Sequence, residues 1–413
     1  MKFPTVNLEG LRWYVLGQPP PLAAVQAVRQ ACLGGPGVWH VSNHGVGALD
    51  GLLGDSKAFF DRPAARKWPY SHGFMDRSRG WELYPQHRRY HLRTMALPPP
   101  MPMFKLHAET SAREGILCER YVCGPPSVCT ESGTAARPFY DSDFARVFYE
   151  KNIWPDDGGA LQAQMEAAYP HFERVAQANL QCVAAALGAP HTAFDELVAT
   201  ASAAHPDAPL RHHSRLQINN YPSQLIPGVN GPRCVPIRAS RHFDTSLLTV
   251  LAREPRVDTA SEAGTSGALE VRMPDESWSC VPARAGELTV FLGNLVALLT
   301  GFELRGTTHR VSNPSHAAAA NSRRVSVGFN LKPDYSAPAA PPAALRAALP
   351  LMPAAAEAEV PLIGLVGRVG WQNHAMQTEG VSRHEAVSTF KMWKNRTVTK
   401  LRNTTVYGDA CVF

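Results

Sequence analysis

Several absences narrow what this chain can be. No apolar run reaches the ~18 residues that a membrane-spanning helix needs, so no membrane partner is expected. The opening residues, Met1 to Asn7, show no basic segment leading into an apolar one, so no secretory leader is read there. The eight cysteines include no Cys-x-x-Cys pair. Cys118, Cys123 and Cys129 lie close together, but without zinc-like spacing or an adjacent histidine, which leaves structural or incidental thiols. These features point to a reducing, cytoplasmic compartment. The net charge is +6 without any long basic run, so it reads as solubility and a mild preference for anionic ligands, with no nucleic-acid partner expected. With 413 residues, the chain has room for one large domain with additions or for two domains.

What is present concentrates between Arg241 and Pro333. In a strand, residues i and i+2 share a face. Read as one strand, Arg241–Leu251 puts His242 and Asp244 on the same side. His309 then supplies a third ligand. Two imidazoles and one carboxylate with three open positions form the facial triad of a non-haem Fe(II) centre. From Val325 to Leu331 the apolar residues alternate, so Arg324, Ser326, Gly328 and Asn330 point together to the other side. A guanidinium beside a hydroxyl is a carboxylate clamp, because Arg offers two parallel donors and keeps its charge. Either motif alone recurs by chance; their order along one chain gives them weight.

Taken in that order, His242-Phe243-Asp244, Thr308-His309-Arg310-Val311 and Arg324-Val325-Ser326 resemble the isopenicillin N synthase-like family of 2-oxoglutarate/Fe(II)-dependent dioxygenases. The likeness extends thinly to residues 3–215 through the Asn43-His44-Gly45 turn, Phe59-Phe60-Asp61-Arg62-Pro63 with Lys67, the Arg79-Gly80-Trp81 loop and Asn152-Ile153-Trp154-Pro155. The 15-residue step from His309 to Arg324 is similar to that of deacetoxycephalosporin C synthase-like enzymes. The resemblance implies Fe(II) on His242, Asp244 and His309. It implies 2-oxoglutarate chelating that iron, with its far carboxylate on Arg324 and Ser326 and with Tyr221 and Asn219 beside it. Ascorbate is implied as a reductant. O2 and a small-molecule substrate are the implied partners, and a monomer or weak homo-oligomer the implied state. The implied chemistry is oxidation of an unactivated C–H bond in secondary metabolism, as in antibiotic biosynthesis, by hydroxylation, desaturation or oxidative ring formation or expansion, with CO2 and succinate released. Two rivals stay open: an isopenicillin N synthase-like oxidase that uses iron and O2 without 2-oxoglutarate, and a non-catalytic small-molecule receptor on the same fold. Arg211, His212, His213, Arg238 and Arg241 flank the metal motif in sequence and suggest an acidic, carboxylate-bearing substrate.

The rest of the chain supports a mainly β architecture with flanking helices around a double-stranded β-helix, or jelly-roll, core. Thr5–Leu8, Val38–Val41, Leu216–Pro222, Ala268–Arg272, Trp278–Val281 and Leu288–Leu292 read as short strands separated by turn residues. Apolar spacing predicts helices over about Leu22–Leu33 and Leu161–Leu187. His44 reads as a turn histidine, not a ligand. Composition divides the chain into an N-terminal mixed α/β region packing on the core (1–205), the Fe(II)/2-oxoglutarate jelly-roll core (206–335), and a linker with a C-terminal helical arm (336–413).

Overall fold

The computed structural model describes residues 3–47, 49–70, 79–84, 118–126, 152–156, 159–198, 214–221, 237–254, 269–300, 303–312, 323–333 and 341–349. Twelve strands are found among these residues: β1 (Thr5–Asn7), β2 (Val38–Ser42), β3 (Gly80–Tyr84), β4 (Cys118–Cys123), β5 (Arg215–Tyr221), β6 (Ile237–His242), β7 (Leu248–Arg253), β8 (Leu269–Arg272), β9 (Trp278–Cys280), β10 (Leu288–Leu292), β11 (His309–Ser312) and β12 (Arg324–Leu331). They form an eight-stranded sheet in the order β1-β2-β10-β7-β12-β5-β4-β3 and a four-stranded sheet in the order β6-β11-β8-β9. This is the double-sheet jelly roll expected from the strand pattern. The larger sheet takes strands from both sides of residue 205, since β4 pairs with β5 and β2 with β10.

Period-2 patterning decides which face of the large sheet is core. Val325, Val327, Phe329 and Leu331 are all at most 3% exposed and join one apolar cluster. Leu216, Ile218, Val250 and Ala252 belong to the same cluster from neighbouring strands. The Ala160–Ala186 helix covers that face. Its predicted stripe, from Met165 through Phe172 and Val175 to Leu180 and Val183, is fully buried. Tyr169 and Phe172 meet Phe329 at ring-centroid distances of 5.1 and 6.5 Å. Burying one such phenylalanine contributes about 1.5–3 kcal/mol. The Leu22–Leu33 helix lies beside the long helix, and the Arg29 Nη1 donates to Ala186 O at 3.0 Å. Trp39 on β2 is tied to the helix by Nε1 donating to Asn179 Oδ1 at 2.8 Å.

The alternate residues face the other way, into the space between the sheets. On β7 these are Thr249, Leu251 and Arg253; on β12 they are Arg324, Ser326, Gly328 and Asn330; on β5 they are Gln217, Asn219 and Tyr221. Strand β4 adds Arg120. A buried ion pair fixes β4 in place: Lys67 Nζ donates to Glu119 Oε2 at 2.5 Å and to Phe60 O at 2.8 Å, and Trp81 Nε1 donates to the same carboxylate oxygen at 3.0 Å.

Two sequence expectations change. Arg241–Leu251 is two strands, not one: β6 ends at His242 in the small sheet and β7 begins at Leu248 in the large sheet. The chain crosses between sheets over residues 243–247, because Leu247 N donates to Leu331 O, at 2.8 Å, and Asn294 N donates to Asp244 O, at 2.9 Å. Gly293 permits that crossing, since a Cβ there would lie 1.9 Å from Ser246 O. Secondly, Gly80 and Trp81, read as a loop, begin strand β3. Beyond β10, Asn294–Leu299 forms a helix for which the sequence reading gave no element. Of the C-terminal region, residues 341–349 carry the Ala343–Ala348 helix, whose Leu345 joins the core; the remainder of the expected arm lies outside the described residues. No helix among the described residues is long and apolar enough to cross a membrane.

Candidate metal centre and anion wall

His242 ends β6 and His309 begins β11, and the two are paired directly across the small sheet. Their rings lie 4.2 Å apart, centroid to centroid. Asp244, at the crossing, completes the group: Oδ1 is 3.7 Å from His242 Nε2 and 3.9 Å from His309 Nε2. One ligand atom from each residue lies within 4.8 Å of the others, so this trio could hold a metal ion. The sequence premise that His242 and Asp244 share a strand face is therefore replaced by a different geometry. The sheet crossing, not the pleat, turns the carboxylate towards the imidazoles.

The surrounding contacts orient His309 and Asp244. His309 Nδ1 bonds Thr307 O at 3.0 Å, which makes Nδ1 the protonated nitrogen and leaves the Nε2 lone pair facing the group. The Thr307 hydroxyl donates in turn to Gly37 O, at 2.9 Å; Gly37 has φ +76°, and a Cβ there would meet that hydroxyl at 2.9 Å. On Asp244, Oδ2 accepts from the Thr249 hydroxyl and from Asn330 Nδ2, the latter at 3.2 Å, leaving Oδ1 for the histidines. Asn330 Nδ2 also reaches Thr249 Oγ1 at 2.9 Å, so the two partners brace each other. Burial alone would raise the Asp244 carboxyl, but His309, then His242 and the Thr249 hydroxyl, hold it below its ordinary value. The carboxylate is thus kept ionised, as ligation requires.

A cavity of about 810 Å³ lies against this trio. Arg324, Ser326, Asn219 and Tyr221, expected to act together, all line it. Strand register explains why: Ser326 lies opposite Asn219 and Arg324 opposite Tyr221. Asn219 Nδ2 approaches Ser326 Oγ at 3.5 Å, and both Asn219 and Tyr221 are buried. The lining is strongly basic among the described residues, with five arginines and Lys57 against three carboxylates. Lys57 pairs with Glu254, and Arg284 Nη1 is 3.3 Å from Glu287 Oε2.

Of the flanking basic residues proposed from sequence, Arg241 can be placed against this lining among the described residues. Arg241 is exposed and is absent from the lining, because it alternates away from its neighbour His242. Arg211, His212 and His213, and the side chain of Arg238, lie outside the described residues. Among the described residues the positive charge comes from Arg324 together with Lys57, Arg120, Arg253, Arg284 and Arg323, of which sequence reading singles out Arg324 for this wall. The available signal was alternation: Arg253 falls in phase with Thr249, and Arg120 faces opposite to the core residues Tyr121 and Cys123. His44 is a turn histidine: Val46 N donates to its Nδ1 at 3.1 Å, and its Nε2 lies 3.1 Å from Gly286 O. Cys32, Cys118, Cys123, Cys182 and Cys280 are free thiols, and burial pushes Cys123 and Cys182 up to about 12.

Residues 213–333 match the 2OG-Fe(II) oxygenase superfamily. Validamycin A dioxygenase of Streptomyces hygroscopicus subsp. limoneus is 29% identical over 205 residues, which cover 49% of this chain and 50% of that protein. Gibberellin 3-beta-dioxygenase 3 of Arabidopsis thaliana is 27% identical over 168 residues, 40% of this chain and 43% of that one. The chain thus spans about half the length of the curated relatives it matches. A full-length Neurospora crassa protein, solved in complex with alpha-KG, superposes with a TM-score of 0.56 over 83% of this chain and 88% of that one at 16% identity, which is a likeness of fold.

Proposed function

We propose that this chain, whose residues 213–333 match the 2OG-Fe(II) oxygenase superfamily, is a 2-oxoglutarate- and Fe(II)-dependent dioxygenase. Its substrate is a small, carboxylate-bearing natural product, oxidised at an unactivated C–H bond. His242, Asp244 and His309 hold the iron, and Arg324 and Ser326 hold the far carboxylate of 2-oxoglutarate. The donor set fits: two imidazoles and one carboxylate suit Fe(II) and leave a face open. When bound, Fe(II) and 2-oxoglutarate supply oxidation by O2, with CO2 and succinate as co-products.

The protein's own part is orientation. Thr307 O fixes the His309 tautomer, and Thr249 with Asn330 turns one Asp244 oxygen inward. Ser326 and Asn219 form a polar floor beside Arg324, and Tyr221 flanks it from β5. The basic lining favours an anionic substrate by the same electrostatics that favour the diacid. Ring and helix packing on the far side of the sheet keeps these side chains on a rigid base.

The observation that carries this reading is the convergence of the three ligand atoms on the lining of a cavity whose wall also holds Arg324 and Ser326. Purified protein with Fe(II), O2 and 2-oxoglutarate labelled at its C1 carboxyl should release labelled CO2, faster with a true substrate present. Substrate oxidation without that release would favour the oxidase. Failure to bind Fe(II) at all would favour the receptor.

A further inference from the structure

Arg253 is a cation whose surroundings do not account for its charge. Its Nη1 donates to Val281 O at 2.8 Å; its Nη2 donates to Pro282 O at 2.9 Å and to Thr289 Oγ1 at 2.8 Å. Two carbonyls and a hydroxyl need donors, not a positive charge. Among the described residues no carboxylate pairs with Arg253, and its Nε is buried with no partner there. Burial first, and the Arg324 guanidinium second, pull its proton affinity down to about 9, which still leaves it cationic at neutral pH. Nearby His40 is pushed down to about 3 by burial, with Arg284 and Arg253 adding to the effect. A buried cation beside a second one is costly unless an anion joins them.

Register says where that anion would sit. Arg253 lies directly opposite Ser326 on the antiparallel pair β7–β12. Directly opposed side chains emerge on the same face with Cβ atoms about 5 Å apart, and diagonal neighbours lie within about 7–8 Å. Arg324 is two residues from Ser326 on that face. The three side chains form a triangle on the cavity wall, with a guanidinium at two corners and a hydroxyl at the third.

We propose that Arg253 is a second guanidinium of the 2-oxoglutarate site, sharing the far carboxylate with Arg324 and Ser326. This rests on the function proposed above and adds a residue that the Arg-x-Ser pattern does not contain. It makes the site selective for a diacid over a keto acid with one carboxylate, because both cations act on the end that a monoacid lacks.

The test is an anaerobic titration of the full chain loaded with Fe(II), using 2-oxoglutarate and pyruvate as probes. Pyruvate keeps the keto-acid head and has no far carboxylate. Arg253→Gln should weaken 2-oxoglutarate about tenfold or more, as expected for loss of a charged hydrogen-bond partner, while pyruvate and Fe(II) affinities stay within twofold. Arg253→Lys should recover part of the loss. Combining Arg253→Gln with Arg324→Gln should cost less than the product of the two single effects, since both act on one carboxylate. Two results overturn the proposal: Arg253→Gln binding 2-oxoglutarate within twofold of wild type, or losing 2-oxoglutarate and pyruvate equally, which marks a purely structural tether. Should Arg253→Gln fail to fold, a crystal structure of the wild-type chain with Mn(II) and 2-oxoglutarate decides the matter. The carboxylate must contact both guanidiniums; contact with Arg324 alone overturns the assignment. Failure of the functional reading looks different, because wild type loaded with Fe(II) would then bind no 2-oxoglutarate.

Discussion

Around the metal trio, two of the ligands are steered by neutral partners: a carbonyl behind His309, and a hydroxyl and an amide behind Asp244. Beside Ser326 the work falls to charge, with Arg324 and Arg253 close enough to disturb each other. The two groups also differ in origin. The first is assembled where the chain leaves the small sheet, and the second lies flat on strands of the large one. A metal site demands direction, which neutral hydrogen bonds set without adding charge that would compete with the ion. A carboxylate site tolerates small displacements but not loss of charge. Substitutions in the two groups should therefore fail differently.

The sharpest separation comes from Asp244→Ala. It should abolish both metal retention and 2-oxoglutarate-dependent CO2 release, measured by metal analysis of the purified protein and by labelled-CO2 assay. A variant that keeps its iron would dissolve the distinction. Arg324→Gln should raise the 2-oxoglutarate Kd by about 10- to 100-fold, as for loss of a charged hydrogen bond, while Fe(II) affinity measured by competition with a chelator stays unchanged. A parallel fall in iron affinity would show that the two groups are not independent. Thr249→Val keeps the shape but removes the hydroxyl behind Asp244. It should weaken Fe(II) about 10-fold, in the range for lost outer-sphere partners, and leave 2-oxoglutarate affinity, measured at saturating metal, near wild type. The smallest effect is expected from Tyr221→Phe. Removing one neutral hydroxyl from the wall should cost about two- to tenfold in 2-oxoglutarate affinity, and an effect as large as that of Arg324→Gln would mean the charge is not what holds the diacid.

The same contrast explains how much was legible beforehand. Arg324 and Ser326 were readable because strand alternation alone puts them side by side. The long helix was readable because its apolar residues recur every three to four positions. His242, Asp244 and His309 were found as a set, yet for a partly mistaken reason, since Asp244 is placed by the crossing between sheets and not by a shared strand face. What stayed hidden depends on register, which one chain does not spell out. Nothing local links Arg253 to Ser326, or Asn330 to Thr249; antiparallel pairing of β7 with β12 brings both pairs together. Strands β3 and β4 escaped because their pairing partners lie across long intervening segments.

One cavity is proposed to take both ligands, the metal on His242, Asp244 and His309 and the diacid reaching from it to Arg324. Anaerobic titration of the Fe(II)-loaded chain with 2-oxoglutarate, followed by the visible charge-transfer absorption of a keto acid chelating iron, addresses this directly. Wild type should show a saturable band, His309→Ala none, and Arg324→Gln the same band at much higher ligand concentration. An iron-loaded wild type that develops no band at any concentration of 2-oxoglutarate would contradict it.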